Sequence, residues 1–136
     1  MRITVFALIF SCLSHVVSSQ QTSSLGASEG KKGMIKVSII YPNSEGKAFD
    51  MDYYTNNHMP MVAGLFGEPC KGYGIDKGVA AGRPGEPLPF IAIGYFYFEK
   101  VSDYESAFGP NAEAILGDIP NYTEIQPIVL ISEVVK

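Results

Sequence analysis

Hydrophobic and polar residues alternate along four stretches of the chain, a pattern that predicts β-strands. In the first stretch the apolar side chains fall at positions 35, 37, 39 and 41, and Pro42 with an Asn-Ser-Glu-Gly turn ends the pattern. The third stretch is the most apolar, because hydrophobic residues occupy both of its faces. The predicted strands are residues 35–41, 72–79, 90–99 and 124–135.

Between these strands, apolar residues recur every three or four positions, which predicts amphipathic helices. The first helix extends from an N-cap at Asp50 to about Phe66. Pro60 lacks the N–H that would bond the Asn56 carbonyl, so we expect a kink or a restart there. The apolar face of this helix carries Met51, Tyr54, His58, Met61, Val62 and Leu65.

A second helix is predicted after the third strand. Ser102 and Glu105 have the spacing of a capping box, in which each side chain bonds a free backbone N–H of the first turn. Gly109 and Pro110 then predict a bend within the helix. The element order is therefore β-α-β-β-α-β, the pattern of a ferredoxin-like α+β fold with two helices on one face of an antiparallel sheet.

The usual strand order of this fold is 4-1-3-2, which makes the second and fourth strands the edges. Pro127 in the last strand and the glycines of the second suit edge positions. The third strand is apolar on both faces, whereas a sheet with helices on one side normally exposes a polar face on the other. The simplest cover for the second face is another copy of the chain, so we predict a homodimer.

The first 33 residues differ in composition from the rest. A positive start, an apolar run at residues 3–13 and a small-residue exit predict a signal peptide over residues 1–19, too short for a bilayer span. The alternative is a lipoprotein signal ending before Cys12, whose acylation would anchor the protein in a membrane. Residues 20–33 read as a flexible linker and 34–136 as the folded domain. We expect an exported protein, periplasmic or extracellular.

Composition narrows the functions. The chain of 136 residues has a net charge of −4, so it has no basic surface for nucleic acid or an anionic membrane. Two cysteines and two histidines are too few for a disulfide framework or a multi-histidine metal centre. We therefore expect neither a metal nor a cofactor, although a haem needs only one axial ligand.

His58 is the only histidine beyond the predicted signal peptide, and it shares a helix face with Tyr54. An imidazole in such a place could act as a general acid or base, or could be a core histidine that donates to a backbone carbonyl. Tyr95 and Tyr97 could bind a polar ligand atom, although packing is the commoner role of such residues.

Two further positions carry predictions. Cys70 stands alone beyond the predicted signal peptide, and we expect it to be buried as a small hydrophobic residue. Asn121 begins an Asn-Tyr-Thr glycosylation sequon, which has meaning only in a eukaryotic secretory route and otherwise marks a turn.

Several segments of the chain resemble the EthD-like family. The stretch 34–42 is similar to its first strand, and FDMDYYTNNHMP at 49–60 resembles its signature, a Tyr-Tyr helix followed by His-x-Pro. AFGP at 107–110 and DIPNYT at 118–123 resemble the second helix and final strand of one subgroup. The similarity covers residues 34–136 and implies a dimeric α+β barrel, in which His58 corresponds to the family's histidine and Tyr54 to its neighbouring aromatic residue.

Most members of that family have no assigned reaction, while others resemble enzymes acting on aromatic polyketides. On this resemblance we predict a cofactor-independent enzyme, of oxidoreductase, decarboxylase or isomerase type, for a small hydrophobic oxygenated substrate. His58 would transfer a proton while Tyr54, Tyr95 and Tyr97 bind the substrate. The alternatives are a secreted dimer that binds a small apolar ligand without turnover, and a haem protein of the same architecture.

Overall fold

The computed structural model describes residues 30–136, so the predicted signal peptide, Cys12 and most of the predicted linker lie outside the described residues. The sheet has four antiparallel strands in the order β2-β3-β1-β4. The ferredoxin-like prediction, with its two edge strands, is therefore confirmed. The strands are β1 (Ile35–Pro42), β2 (Gly72–Lys77), β3 (Phe90–Phe98) and β4 (Ile128–Glu133).

The last strand is shorter at its start than the sequence pattern predicts. Pro127 cannot donate to a neighbouring strand, and β4 begins directly after it. The preceding residues are held by side-chain contacts instead, since the Ile125 N–H donates to the Thr123 hydroxyl over 3.1 Å. That hydroxyl in turn donates to the Ala48 carbonyl over 2.8 Å, which ties this segment to the start of the first helix.

The first helix has three parts: α1 (Met51–Tyr53), a π-helical segment (Tyr54–His58) and α2 (Met59–Phe66). The Asp50 carboxylate accepts from the Tyr53 N–H over 2.9 Å, as the predicted N-cap requires. The irregularity expected at Pro60 takes the form of the wider π turn just before it, where the Met59 N–H donates to the Tyr54 carbonyl.

The second helix consists of α3 (Val101–Phe108), a 3-10 turn (Gly109–Asn111), α4 (Ala112–Asp118) and a second 3-10 turn (Ile119–Asn121). The predicted bend at Gly109 and Pro110 is thus confirmed. The predicted capping box is wrong: the helix starts at Val101, its N-cap is Lys100 in extended backbone, and no side chain bonds that cap. Ser102 therefore lies inside the first turn. None of the helices within residues 30–136 is long and apolar enough to cross a membrane.

The core lies between the helices and one face of the sheet. Cys70 is buried in it, as predicted, and its Sγ donates to the Gly72 carbonyl over 3.5 Å. The sheet contributes Val37, Tyr41, Ala92, Phe96 and Phe98, and the helices contribute Tyr54, Met59, Val62, Ala63, Phe66 and Ile115.

The opposite face of the sheet carries no helix of the described chain. We call it the open face; its register aligns Ile40 with Ile93 and Ile128, and Ser38 with Tyr95 and Leu130. Ile128 is 54% exposed and Leu130 is 52% exposed, so this apolar surface is accessible to water in the single chain. The two-sided apolar character predicted for β3 therefore extends to Ile40 of β1 and to the open-face residues of β4.

Candidate active site

His58 lies at the end of the π-helical segment, where the chain turns into α2. Its ring is buried and lines a cavity of about 100 Å³ between the helices and the sheet. The other lining side chains are almost entirely apolar, among them Val37, Ile39, Met59, Val62, Phe66, Phe96, Ile115 and Val129. The cavity thus places one titratable ring in hydrophobic surroundings.

The orientation of the imidazole is fixed from the end of the second helix. His58 Nδ1 lies 2.8 Å from Asp118 Oδ2. An ionised carboxylate only accepts hydrogen bonds, so Nδ1 must carry the hydrogen and the neutral ring has its lone pair on Nε2. No residue of the described chain bonds Nε2.

The Asp118 carboxylate accepts further hydrogen bonds on its other oxygen. Tyr53 O–H donates to Oδ1 over 2.9 Å, and the Asn121 amide nitrogen donates to the same oxygen over 2.8 Å. The Asn121 amide nitrogen also donates to the Tyr53 oxygen over 3.3 Å. Together with His58 Nδ1 on Oδ2, three donors converge on one carboxylate.

These contacts set the protonation states. Burial lowers the pKa of His58 below its usual value, and the hydrogen bond and charge of Asp118 oppose that shift only in part. Burial would by itself raise the pKa of Asp118, but the hydrogen bonds from His58, Asn121 and Tyr53 lower it overall. At neutral pH the pair is therefore a neutral imidazole held by an ionised carboxylate.

The lowered pKa values predict that acid reduces the free energy of unfolding. Below about pH 6.5 the unfolded chain binds a proton at His58 that the folded chain does not, so stability falls as the pH drops toward the folded-state pKa. Asp118 adds a further decrease below about pH 4. Urea unfolding at a series of pH values measures this. In His58→Gln the decrease that starts below about pH 6.5 should be absent. Stability of the wild type that rises as the pH falls from about 7 to 5 would contradict a lowered His58 pKa.

Aromatic side chains form the wall behind His58. The Tyr54 ring stacks on the imidazole, with centroids 5.7 Å apart and planes 17° from parallel. The Tyr122 ring lies 4.7 Å from the imidazole, and its hydroxyl is 2.6 Å from that of Tyr41. Burial raises the pKa of all three phenols, so each stays protonated at neutral pH.

The Tyr54 hydroxyl is the exception within this wall. It is buried and has no hydrogen-bond partner in residues 30–136, although a buried hydroxyl without a partner costs about 1–3 kcal/mol. It lies directly over Gly94 of β3, where a Cβ atom would clash with it, and beside Met59. The absence of a side chain at Gly94 thus provides the space that the Tyr54 hydroxyl occupies.

The sequence-predicted site residues divide between two sides of the sheet. His58 and Tyr54 lie together at the cavity, as predicted. Tyr95 and Tyr97 do not join them, because they alternate with Gly94 and Phe96 along β3 and therefore belong to the open face. There Tyr95 packs under the Lys36 ammonium, 4.1 Å from the ring centroid. The prediction that all four residues line one pocket is therefore wrong for a single chain, in which only His58 and Tyr54 line the cavity.

The sequence interpretation missed Asp118, Tyr41 and Tyr122. Asp118 lies 60 residues from His58 along the chain, so no local spacing connects the two. The available signal was its place in DIPNYT, a segment noted for its family resemblance but given no role. Tyr41 lies near the end of β1 and Tyr122 follows the last 3-10 turn, so only tertiary packing brings their hydroxyls together.

The side chains around the cavity do not provide a site for a metal ion or a haem within residues 30–136. No group of three or more His, Cys, Asp or Glu side chains in residues 30–136 is placed to hold a metal ion. His58 could offer Nε2 as an axial ligand, but a cavity of about 100 Å³ is too small for the macrocycle. The haem alternative does not fit this cavity.

Comparisons with known proteins show the family of the chain. The family model of the EthD domain matches residues 44–126. An EthD-like protein from Ralstonia eutropha JMP134 is similar in structure with a TM-score of 0.74 and 42% sequence identity, over 78% of this chain and 96% of that protein.

A more distant structural similarity concerns the fold alone. An ethyl tert-butyl ether D (EthD) family protein from Bacillus halodurans C-125 superposes with a TM-score of 0.51 at 14% identity, over 74% of this chain and 98% of that protein. No curated protein matches the chain significantly.

Proposed function

Because the chain belongs to the EthD family, we propose that the cavity is the active site of a cofactor-independent enzyme that moves a proton on a small, hydrophobic, oxygenated substrate. The observation that carries this proposal is the 2.8 Å contact between His58 Nδ1 and Asp118 at an apolar cavity. That arrangement leaves Nε2 as an unprotonated base at neutral pH.

The chemistry follows from the two ring nitrogens. Nε2 takes a proton from an acidic C–H or O–H of the substrate, and the Asp118 carboxylate stabilises the imidazolium that forms. The same Nε2–H then returns the proton at another atom or to water. Proton transfer of this kind begins isomerisation. In a decarboxylation, Nε2 would take the acid proton of a β-keto acid and return it to the carbanion that the loss of CO₂ leaves. Oxidation of a deprotonated substrate would require dioxygen as a co-substrate to accept the electrons.

The cavity limits the substrate. An apolar cavity that holds benzene has a volume of about 150 Å³. The cavity of about 100 Å³ is smaller, so it suits one end of a larger molecule rather than a whole ring. Val129 lines the cavity and is 52% exposed, which opens the cavity at the β4 edge of the sheet. The Tyr54 ring lines the cavity and stacks on the imidazole, so it would pack against the substrate next to the proposed base.

The experiment is a proton-exchange screen. The full chain is incubated in D₂O with small cyclic ketones and phenols, and NMR follows replacement of carbon-bound hydrogen by deuterium. Faster exchange than in buffer alone supports the enzyme. Binding of a compound without exchange of any member of the panel would favour the second candidate, a non-catalytic module for a small apolar ligand, for which the apolar lining is the supporting observation.

We also propose that the protein works as a homodimer in which the open faces of two copies meet. Support comes from the exposed apolar residues Ile128 and Leu130 and from the absence of a covering element among residues 30–136. An uncovered apolar face of this kind normally marks an interface. The full chain should scatter light as a dimer at micromolar concentration.

Leu130→Glu tests the dimer. It places a charge from each copy in the proposed interface, and a buried unpaired charge costs several kcal/mol, so we expect dimer affinity to fall by about 100-fold or more. Val79→Glu is the matched control, since Val79 is 90% exposed and lies outside the sheet. Sedimentation velocity over a concentration series measures both. A wild-type chain that is monomeric throughout, or a Leu130→Glu dimer as tight as the control, would contradict this interface.

Export remains part of the proposal. The signal-like segment at residues 1–19 supports it, and the mass of the mature protein from its native host tests it. Cleavage near residue 19 would support secretion, and acylation at Cys12 would support a lipoprotein. An uncut chain in the cytoplasm would contradict both.

A further inference from the structure

Two side chains hold the Asp118 carboxylate without touching His58 or the cavity. Tyr53 and Asn121 both donate to Oδ1, over 2.9 and 2.8 Å, while Oδ2 faces His58 Nδ1. The two carboxylate oxygens therefore have separate partners. A carboxylate with both oxygens bonded cannot rotate about its Cβ–Cγ bond without losing hydrogen bonds.

Both donors are fixed by the fold. Tyr53 ends α1, and its ring stacks on Tyr122 with centroids 6.2 Å apart and planes 19° from parallel. Asn121 ends the 3-10 turn after α4, and its amide bonds Asp118 three residues earlier and the Tyr53 oxygen at 3.3 Å. The first and second helices are thereby joined at the point where Asp118 leaves α4.

We infer that Tyr53 and Asn121 are positioning residues, which set the orientation of Asp118 and through it the tautomer of His58. This inference rests on the proposed function, because it concerns the same imidazole base. Without the two donors, the carboxylate is free to rotate toward water. The His58 Nδ1–H then loses its acceptor, and the ring populates the Nε2–H tautomer that free histidine prefers, in which Nε2 has no lone pair.

The sequon gains a structural meaning from this network. The Asn121 amide nitrogen is the atom to which a glycan would attach, and in the fold it donates to Asp118. The Thr123 hydroxyl of the same sequon is buried in a bond to the Ala48 carbonyl. Asn121 therefore has a role in the folded chain that requires no glycosylation.

The test reads the tautomer directly. Long-range ¹H–¹⁵N spectra of the ¹⁵N-labelled full chain distinguish Nδ1–H from Nε2–H forms, and His15 gives the only other imidazole signal. We expect wild-type His58 to be in the Nδ1–H form. The Tyr53→Phe/Asn121→Ala double variant should convert at least half of it to the Nε2–H form, and each single variant should convert less. Asn57→Ala, at an exposed helix position, is the matched control and should leave the tautomer unchanged.

Asp118→Ala separates the inference from the proposed function. If Asp118→Ala changes the tautomer but the double variant does not, the positioning role is overturned and the His58–Asp118 pair stands. If Asp118→Ala also leaves the tautomer unchanged, the pair itself fails, and the proposed function with it. Should the double variant not fold, the two single variants decide by the same measure.

Discussion

Replacing His58 by glutamine is expected to abolish the deuterium exchange of the proposed substrate while the chain stays folded. General acid–base groups typically contribute about 100- to 10,000-fold to a rate, and we expect a loss in that range. Glutamine retains an amide N–H that can donate to Asp118, but it has no basic nitrogen to replace Nε2. The proton transfer is therefore removed while the polar contact is largely preserved.

The measurement compares initial exchange rates of wild type and His58→Gln at equal concentrations of folded protein. His15→Gln is the matched control, because it removes the other histidine of the chain and should leave the rate unchanged. Exchange that persists in His58→Gln would refute a base at this position. A variant that no longer folds would assign His58 a packing role instead, which is the alternative that the sequence left open.

The second large effect is expected at Gly94, in the central strand β3. A Cβ atom there would collide with the Tyr54 hydroxyl and lie 3.0 Å from the Met59 sulfur, so Gly94→Ala should overpack the core. Overpacking of this kind costs about 1–3 kcal/mol. The displaced Tyr54 ring should also lose its stacking on His58. Urea unfolding measures the loss of stability. Binding of the cyclic ketones and phenols of the exchange screen measures the effect of the displaced ring on the cavity.

A double-mutant cycle makes the cause explicit. Tyr54→Phe removes the clashing atom, and because that hydroxyl is buried without a partner, the single variant should be as stable as wild type or more so. Combined with Gly94→Ala it should recover about 1 kcal/mol or more as a coupling energy.

Gly64→Ala is the matched control for this cycle. Its Cβ meets no atom within 4 Å on the helix surface, so it should stabilise the chain by about 0.4–1 kcal/mol. Two results would contradict this account of Gly94. Either Gly94→Ala lowers the free energy of unfolding no more than Gly64→Ala does, or Tyr54→Phe restores none of the stability that Gly94→Ala loses.

The local pattern of the chain was sufficient for most of the fold. Alternation predicted the four strands, Asp50 was correctly identified as an N-cap, and Pro127 correctly marked an edge strand. These features depend on neighbours in sequence, which is why they were readable. The capping box predicted at Ser102 is wrong because the helix starts earlier, at Val101 with Lys100 as its N-cap, and sequence spacing does not decide between these starts.

The candidate site was predictable only in part. His58 and Tyr54 lie four residues apart on one helix, so their stacking follows from helical geometry. The helices cover the face of β3 that carries Phe96. Alternation along the strand puts Tyr95 and Tyr97 on the opposite face. The two-residue period of a strand therefore excludes both tyrosines from the pocket that His58 lines within one chain.

The sequence by itself thus determined the element order, the edge strands, the apolar character of both faces of β3 and the position of the one histidine of the domain. Only the tertiary structure decided which side chains surround that histidine. It brought Asp118 from the end of the second helix to within 2.8 Å of Nδ1 and placed Tyr53 and Asn121 behind it. Such a pairing joins residues 60 positions apart, and because long-range contacts depend on how whole elements pack, no local period encodes it.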